Sequence, residues 1–308
     1  MIGIRSIASF IPNDKIDNIK QAEQFGESDS FITQKIGALR LPVMSSNMDT
    51  SDMAVSAVNE LVKKHGLVLD EIDVVVVVTQ NGDGAGLPHT SAIVQSKLGL
   101  NSQVAAFDIS LGCSGYVYGL SIIKGFMENV GLRNGLLITA DPYSKIIDRN
   151  DRITSMLFGD AATATWLTED SHWKFSKPVL ATDGSGAENI EVVDGVLSMN
   201  GRQVFNFASK KVPAQIREFL LSRNLEACDI DLFCLHQGSL SIVEAIAKRF
   251  PDVKERFLSD IEETGNTVSS SIPLLLEKLI RDEDLNKILI SGFGVGLSWA
   301  TNIIYREV

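Results

Sequence analysis

Apolar residues spaced three and four apart run from Ala54 to His65, break at the Gly66-Leu67 step, and give way after Ile72-Asp73 to the unbroken run Val74 to Val78. That order predicts an amphipathic helix, a turn and a strand buried on both faces. Residues 212–236 present the same series, with Ile230-Asp231 in the place of Ile72-Asp73 about half a chain later. A second pair agrees, since Gly135 to Ala140 resembles Lys287 to Gly292. Each is followed by an apolar alternating stretch, near Ala162 to Leu167 and near Leu297 to Tyr305. Both halves therefore read as helix, buried strand, helix, buried strand, strand. This predicts a mainly parallel sheet, covered on both faces, in each half. The competing reading is the recurrence that any α/β chain shows.

Two units follow from this pattern, residues 1–170 and 171–308, with the boundary at Glu169-Asp170-Ser171 after the last strand of the first half. No low-complexity linker separates them, and the Gly/Ser/Asp-rich interval from Thr182 to Gly195 reads as surface turns. Met1 to Ile7 alternates like a strand. The interval from about 80 to 103, with Asn81-Gly82-Asp83-Gly84-Ala85-Gly86, reads as a mobile, turn-rich loop too irregular for a phosphate-binding fingerprint.

Composition narrows the function classes. A chain of 308 residues with 44% hydrophobic and 22% charged positions is a folded globular protein, long enough for two units of about 150 residues each. Its net charge of −11 argues against nucleic acid as a partner. The longest aliphatic run is the five valines, far short of the roughly 20 apolar residues that span a bilayer, so no membrane partner is expected. No secretion-signal pattern precedes Pro12-Asn13-Asp14, and a cytoplasmic location is expected. Cys113, Cys228 and Cys234 form neither a disulfide framework nor a zinc-binding pair.

Cys113 lies in Phe107-Asp108-Ile109-Ser110-Leu111-Gly112-Cys113-Ser114-Gly115, a strand ending in a small-residue turn before the helical stretch Tyr116 to Asn129. At the first turn of a buried helix, a thiol feels the positive end of the helix dipole and free N–H groups. Both lower its pKa toward the reactive thiolate. The placement suits a nucleophile, whereas Cys228 and Cys234 read as small buried cysteines that only pack. Of the four histidines, His65 precedes Gly66 at a helix end, His89 follows Pro88 in a loop, and His172 falls between the halves. His236 stands directly after the strand Asp231 to Leu235, at the carboxyl end where open α/β sheets assemble their sites. It is the best-placed imidazole, with a purely structural histidine as the alternative. Thr264 to Ser271 is a polar turn entering a helix near Ile272-Pro273 and, taken alone, reads as a helix cap. Gly292-Phe293-Gly294-Val295-Gly296 either brings backbone N–H groups to a ligand or makes a tight turn between strands.

These segments, with Phe158-Gly159-Asp160-Ala161-Ala162, His236-Gln237, Gly265-Asn266-Thr267 and Gly292 to Trp299, occur in the order and spacing of one family. The chain resembles the β-ketoacyl-acyl-carrier-protein synthase III group of the thiolase superfamily over essentially its whole length. The resemblance implies a thiolase-like duplicated α-β-α-β-α layered fold, a homodimer built across the first half, and no cofactor or metal. It matches Cys113 to the acyl-accepting nucleophile, and His236 and Asn266 to the pair that holds the thioester carbonyl of the second substrate. The backbone N–H groups of Cys113 and Val295 match the oxyanion hole. The implied reaction is acyl transfer from acyl-coenzyme A or acyl-carrier protein to Cys113, then decarboxylative Claisen condensation with malonyl-acyl-carrier protein. The setting is fatty-acid initiation or a specialised acyl or polyketide pathway. Two alternatives stay open: acyl transfer to an alcohol or amine with His236 as general base, and a silent subunit that binds acyl carriers.

The resemblance also assigns substrate contacts to Phe31, Lys35, Leu87, Arg152, Phe205 and Phe293, with Leu87 lining the acyl pocket across the dimer, and a carrier-protein patch to Lys248 and Arg249. Departures accompany it. The family's His-Gln-Ala-Asn run is His236-Gln237-Gly238-Ser239, and its three consecutive glycines are Gly294-Val295-Gly296. Val295 can supply the N–H provided the position does not demand positive φ. The Trp-x-x-x-Arg adenine clamp is replaced by Phe31 and Lys35, which offer less stacking area and no planar guanidinium. Weaker use of free coenzyme A donors, and a preference for acyl groups on carrier protein, are therefore expected. Lys248-Arg249 also has an ordinary reading, charge compensation at the end of the helix Ser241 to Phe250.

Overall fold

The computed structural model describes residues 1–307. In chain order the elements that build and position the site begin with β1 (Gly3–Phe10), α1 (Thr50–His65), β2 (Val74–Val78), α2 (Thr90–Lys97), β3 (Ala105–Ile109), α3 (Gly115–Val130), β4 (Asn134–Ala140) and β5 (Ala162–Thr168). They continue with β6 (Trp173–Phe175), β7 (Val179–Thr182), β8 (Ile190–Val193), β9 (Val196–Met199), α4 (Gly201–Leu221), β10 (Leu232–Leu235), α5 (Leu240–Ala247), α6 (Ser271–Leu279), β11 (Lys287–Gly294) and β12 (Ser298–Arg306).

The period-two geometry of a strand explains why the valine run needs no polar face. Val74, Val76 and Val78 pack with Tyr116, Leu120 and Ile123 of α3, while Val75 and Val77 pack with Met53, Ala54 and Leu61 of α1. β11 repeats the device: Ile288 and Ile290 join the core around α3, and Leu289 and Phe293 join Phe219, Ile216 and Ile246 of α4 and α5. The layers are thus α1 and α2, the strands of the first half, α3 with α6, the strands of the second half, and α4 with α5. This is the duplicated α-β-α-β-α arrangement.

The strands join into one 10-stranded sheet in the order β10-β11-β12-β6-β1-β5-β4-β2-β3, with β7 also paired to β12. The expectation of a mainly parallel sheet is corrected, for the sheet is mixed. β2 runs parallel to β3 and β4, and β10 runs parallel to β11, but β5 is antiparallel to β4 and β1, and β12 is antiparallel to β11. No crossover helix lies between β4 and β5 or between β11 and β12, and a strand that returns directly runs antiparallel.

Three other expectations change. The interval 80–103 holds helix α2, whose first N–H groups at Thr90 and Ser91 donate to the Asp108 carboxylate at 2.6 and 2.8 Å. Helix α4 starts at Gly201, well before residue 212, and carries Pro213 in its interior. Cys228 is exposed, whereas Cys234 is buried in the core. Among the described residues no helix is long and apolar enough to cross a membrane, and no cluster of side chains could hold a metal ion.

Candidate active site

The chain leaves β3 at Ile109, turns through Ser110 to Ser114 and enters α3 at Gly115, which sets Cys113 just before the helix. Its thiol is only 6% exposed. The backbone N–H groups of Cys113 and Val295 bear on Sγ and favour its thiolate. Strand β11 runs through Gly294, so the glycine-rich segment is half strand, and the turn proper is confined to Val295-Gly296-Leu297. Gly294 is required by proximity, because a Cβ there would lie 2.8 Å from both Cβ and Sγ of Cys113. Val295 keeps a negative φ and adopts the position without strain. A 2.8 Å hydrogen bond between Ser114 Oγ and Ser298 Oγ ties the cysteine turn to the last hairpin.

One electrostatic expectation is overturned. Burial pushes the Cys113 thiol up to about 12, and the carboxylate of Asp141 adds to the rise, while the two backbone N–H groups oppose both. Removal from water outweighs the helix end because the thiolate would sit in a dry pocket beside another acid. Asp141 itself is driven up to about 7, chiefly by burial, although N–H groups of Gln80 and Asn81 donate to it.

His236 prolongs β10 with a 2.9 Å hydrogen bond from its N–H to the Ser291 carbonyl. The ring is 2% exposed, packs edge-on to Phe293 at 5.4 Å, and places Nδ1 2.7 Å from Ser271 Oγ. Burial lowers its pKa to about 3, so the imidazole is neutral at pH 7 and offers a single N–H.

Asn266 comes from a loop gripped by the first half. Its N–H donates to the Leu157 carbonyl at 2.9 Å, and the Gly159 N–H donates back to the Asn266 carbonyl at 3.1 Å. Gly159 has to lack a side chain, since a Cβ would stand 2.2 Å from the Thr264 carbonyl oxygen. The neighbouring Asp160 anchors the grip by accepting from Met44 N–H at 2.8 Å and from Ser144. The Asn266 side-chain oxygen accepts from Val268 N–H at 2.9 Å, which leaves its NH₂ free to donate elsewhere.

Cys113, His236 and Asn266 line one cavity of about 830 Å³. A thiol, two backbone N–H groups at its sulfur and two neutral side-chain donors thus face a single, mostly apolar space. Such a set suits attack on a thioester and stabilisation of the oxygen charge that follows. The family described as 3-oxoacyl-[acyl-carrier-protein (ACP)] synthase III matches residues 107–184, and its C-terminal counterpart matches residues 220–306. The chain belongs to this family.

A β-ketoacyl-[acyl-carrier-protein] synthase III of Ehrlichia canis is 36% identical over 98% of each chain. The crystal structure of the β-ketoacyl-[acyl carrier protein] synthase III of Thermus thermophilus superposes with a TM-score of 0.90 at 31% identity, covering 99% of both chains. The priming β-ketosynthase of the R1128 polyketide biosynthetic pathway superposes with a TM-score of 0.88 at 27% identity, covering all of this chain and 97% of that one.

Phe31, Lys35, Arg152, Phe205, Phe293 and Val295 also line the cavity. Phe31 and Lys35 lie on the short helical turns Asp29–Phe31 and Ile32–Ile36. Arg152 is held in an ion pair by Glu27. Leu87 lies outside: it is 85% exposed and does not contribute to the cavity of a single chain. Lys248 and Arg249 are exposed just past the end of α5, where Lys248 pairs with Glu244 at 3.5 Å.

Sequence reasoning missed Tyr143, Ile190, Met199 and Val204, which also line the cavity. The Tyr143 ring packs 4.8 Å from that of Phe158, and its hydroxyl donates to Gln80 Oε1 at 3.1 Å. Its position just beyond the carboxyl end of a parallel strand was the available signal. The other three come from the β8–β9 hairpin and the start of α4: Ile190 falls in the interval Thr182 to Gly195 that reads as surface turns, and Met199 and Val204 lie just beyond it.

Proposed function

We propose that Cys113 is the acyl-accepting nucleophile of a 3-oxoacyl-carrier-protein synthase III, and that His236 and Asn266 stabilise the decarboxylating second substrate. The observation that carries this reading is the convergence of all three on one cavity, with two backbone N–H groups at the sulfur. In the first half-reaction Sγ bonds to the carbonyl carbon of an acyl thioester. The N–H groups of Cys113 and Val295 hold the oxyanion, the carbon–sulfur bond to the carrier breaks, and the thiol proton leaves with the released carrier thiol. In the second, a malonyl thioester loses CO₂ and its electron pair spreads onto the thioester oxygen, where an imidazole N–H of His236 and the Asn266 amide donate. The carbanion attacks the acyl carbon, and Cys113 departs and takes up one proton.

The donor is proposed to arrive chiefly on carrier protein. Phe31 and Lys35 make a poor adenine clamp, and Glu27 already engages the guanidinium of Arg152. Lys248 and Arg249 offer an acidic carrier a positive contact on an otherwise acidic protein. Residues 1–170 and 171–308 are proposed as the two units, the first supplying Cys113 and the second His236 and Asn266. A homodimer is proposed as the working form, in which an exposed Leu87 would reach the acyl pocket of the second copy. The mass in solution tests it: twice 33.5 kDa for wild type, with dissociation by Leu87→Asp, and a monomer in wild type would refute it.

The functional reading is tested by CO₂ release from malonyl carrier protein. His236→Ala and Asn266→Ala should each lower it about 100-fold, the usual effect of removing one oxyanion donor. Product formation that ignores malonate would refute condensation and favour transfer to another acceptor.

A further inference from the structure

The loop that carries Asn266 ends at Ser271, the first residue of α6, and the buried Ser271 hydroxyl has more than one claim on it. Its oxygen lies 2.7 Å from Nδ1 of His236, reaches the Val268 carbonyl at 3.1 Å and accepts from the Gln237 N–H at 3.4 Å. A neutral imidazole carries one N–H, and the partner of one ring nitrogen decides which of the two bears it. The partner within hydrogen-bond distance of Nδ1 is the serine hydroxyl, which has one hydrogen to give. If that hydrogen goes to the Val268 carbonyl, the oxygen accepts from Nδ1–H and Nε2 is left with a bare lone pair. If it goes to Nδ1, the imidazole hydrogen sits on Nε2.

We propose that Ser271 is a positioning residue whose O–H donates to Nδ1 of His236 and fixes the tautomer that presents Nε2–H to the cavity. The proposal rests on the role given to His236 above and deepens it. An oxygen that gains negative charge needs donors, and an imidazole with a lone pair on Nε2 would repel it. No proton changes owner in this arrangement, because the serine hydrogen stays on Oγ and the histidine hydrogen stays on Nε2. Asn266 is set by the same turn, since Val268 N–H occupies its carbonyl oxygen and leaves its NH₂ to donate. One short segment, Asn266 to Ser271, therefore decides that both groups face the substrate as donors. The polar run that reads as a helix cap acquires a chemical task.

The test is the ¹⁵N spectrum of the full-length protein labelled at histidine, in which protonated and bare ring nitrogens resonate far apart. Four histidines contribute, and His236→Asn identifies the signals of interest. Wild type should show a protonated Nε2 and a bare Nδ1. Ser271→Ala should no longer hold the hydrogen on Nε2 alone, and Ser271→Thr, which keeps a hydroxyl, should restore the wild-type pattern. In parallel, Ser271→Ala should lower malonyl decarboxylation about 100-fold, the loss falling on that step and not on acyl loading of Cys113. A wild-type spectrum with the hydrogen on Nδ1, or a Ser271→Ala spectrum identical to wild type, overturns the proposal. If the tautomer changes as expected while decarboxylation does not, the role of His236 fails and the control by Ser271 stands.

Discussion

The thiol of Cys113 is not activated in the resting protein, and this sets what can be measured on it. With burial and Asp141 holding it near 12, its alkylation by iodoacetamide should accelerate about tenfold per pH unit from pH 7 to 9, following the thiolate fraction. A rate that levels off near pH 7 would contradict this. In the proposed mechanism, reactivity then comes from the transition state, where the N–H groups of Cys113 and Val295 would bear on the substrate oxygen, and not from a standing thiolate. Gly294 protects that geometry. Gly294→Ala puts a methyl 2.8 Å from the sulfur, so acyl loading should fall by about 100-fold while the fold persists, as thermal melting and loading kinetics can separate. The three residues that the structure brings into one cavity, Cys113, His236 and Asn266, could be picked out in the sequence because each sits in a short motif at a strand end or turn. The thiol's pKa could not. The helix dipole is visible from sequence, but the burial that outweighs it, and the charge of Asp141 that adds to it, are set by residues brought close only in the fold.

Among elements, the loop from Thr264 to Ser271 is the joint between the halves. It is held to the first half through Leu157 and Gly159, and Ser270 Oγ adds contacts at 2.8 Å to Thr139 Oγ1 and 3.1 Å to the Ala161 carbonyl. Gly159→Ala should cost about 1–3 kcal/mol in chemical denaturation and move Asn266, depressing decarboxylation more than acyl loading. Equal loss of both steps would count against that joint. At the mouth, Glu27→Gln releases Arg152 from its ion pair and should lower KM for acyl-coenzyme A without changing kcat. An unchanged KM would mean that Arg152 does not limit the use of that donor. Strands and central helices were legible because the unbroken apolar runs Val74 to Val78 and Ile288 to Ile290 demand burial on both faces, and the helices carry three- and four-residue apolar spacing. The sense of β5 and β12 was not, since it depends on connections without crossover helices. Nor was helix α2, whose start is fixed by Asp108 from a neighbouring strand.

At the scale of the whole molecule, the buried groups Asp141 and His236 link titration to folding in opposite senses. Asp141, near 7 when folded against 3.8 ordinarily, holds its proton more tightly in the native state. Its contribution to stability is therefore full below about pH 4 and is lost as pH rises through 7. His236, lowered to about 3 from 6.5, works in the other sense, and stability falls as pH drops below 6.5 toward 3. Asp141→Asn should accordingly raise the melting temperature more at pH 8 than at pH 5, and an equal change at both would refute the assignment. The layered, duplicated body serves one geometric end: it brings a cysteine from the first half into the same cavity as a histidine and an asparagine from the second. The most direct test of that claim is the intact mass of wild type and Cys113→Ala after exposure to acyl donors on coenzyme A and on carrier protein, followed by malonyl carrier protein. The account predicts an acyl adduct in wild type alone, discharged by malonyl carrier protein as a β-ketoacyl product. An adduct that persists in Cys113→Ala, or one that malonyl carrier protein leaves in place, would contradict it.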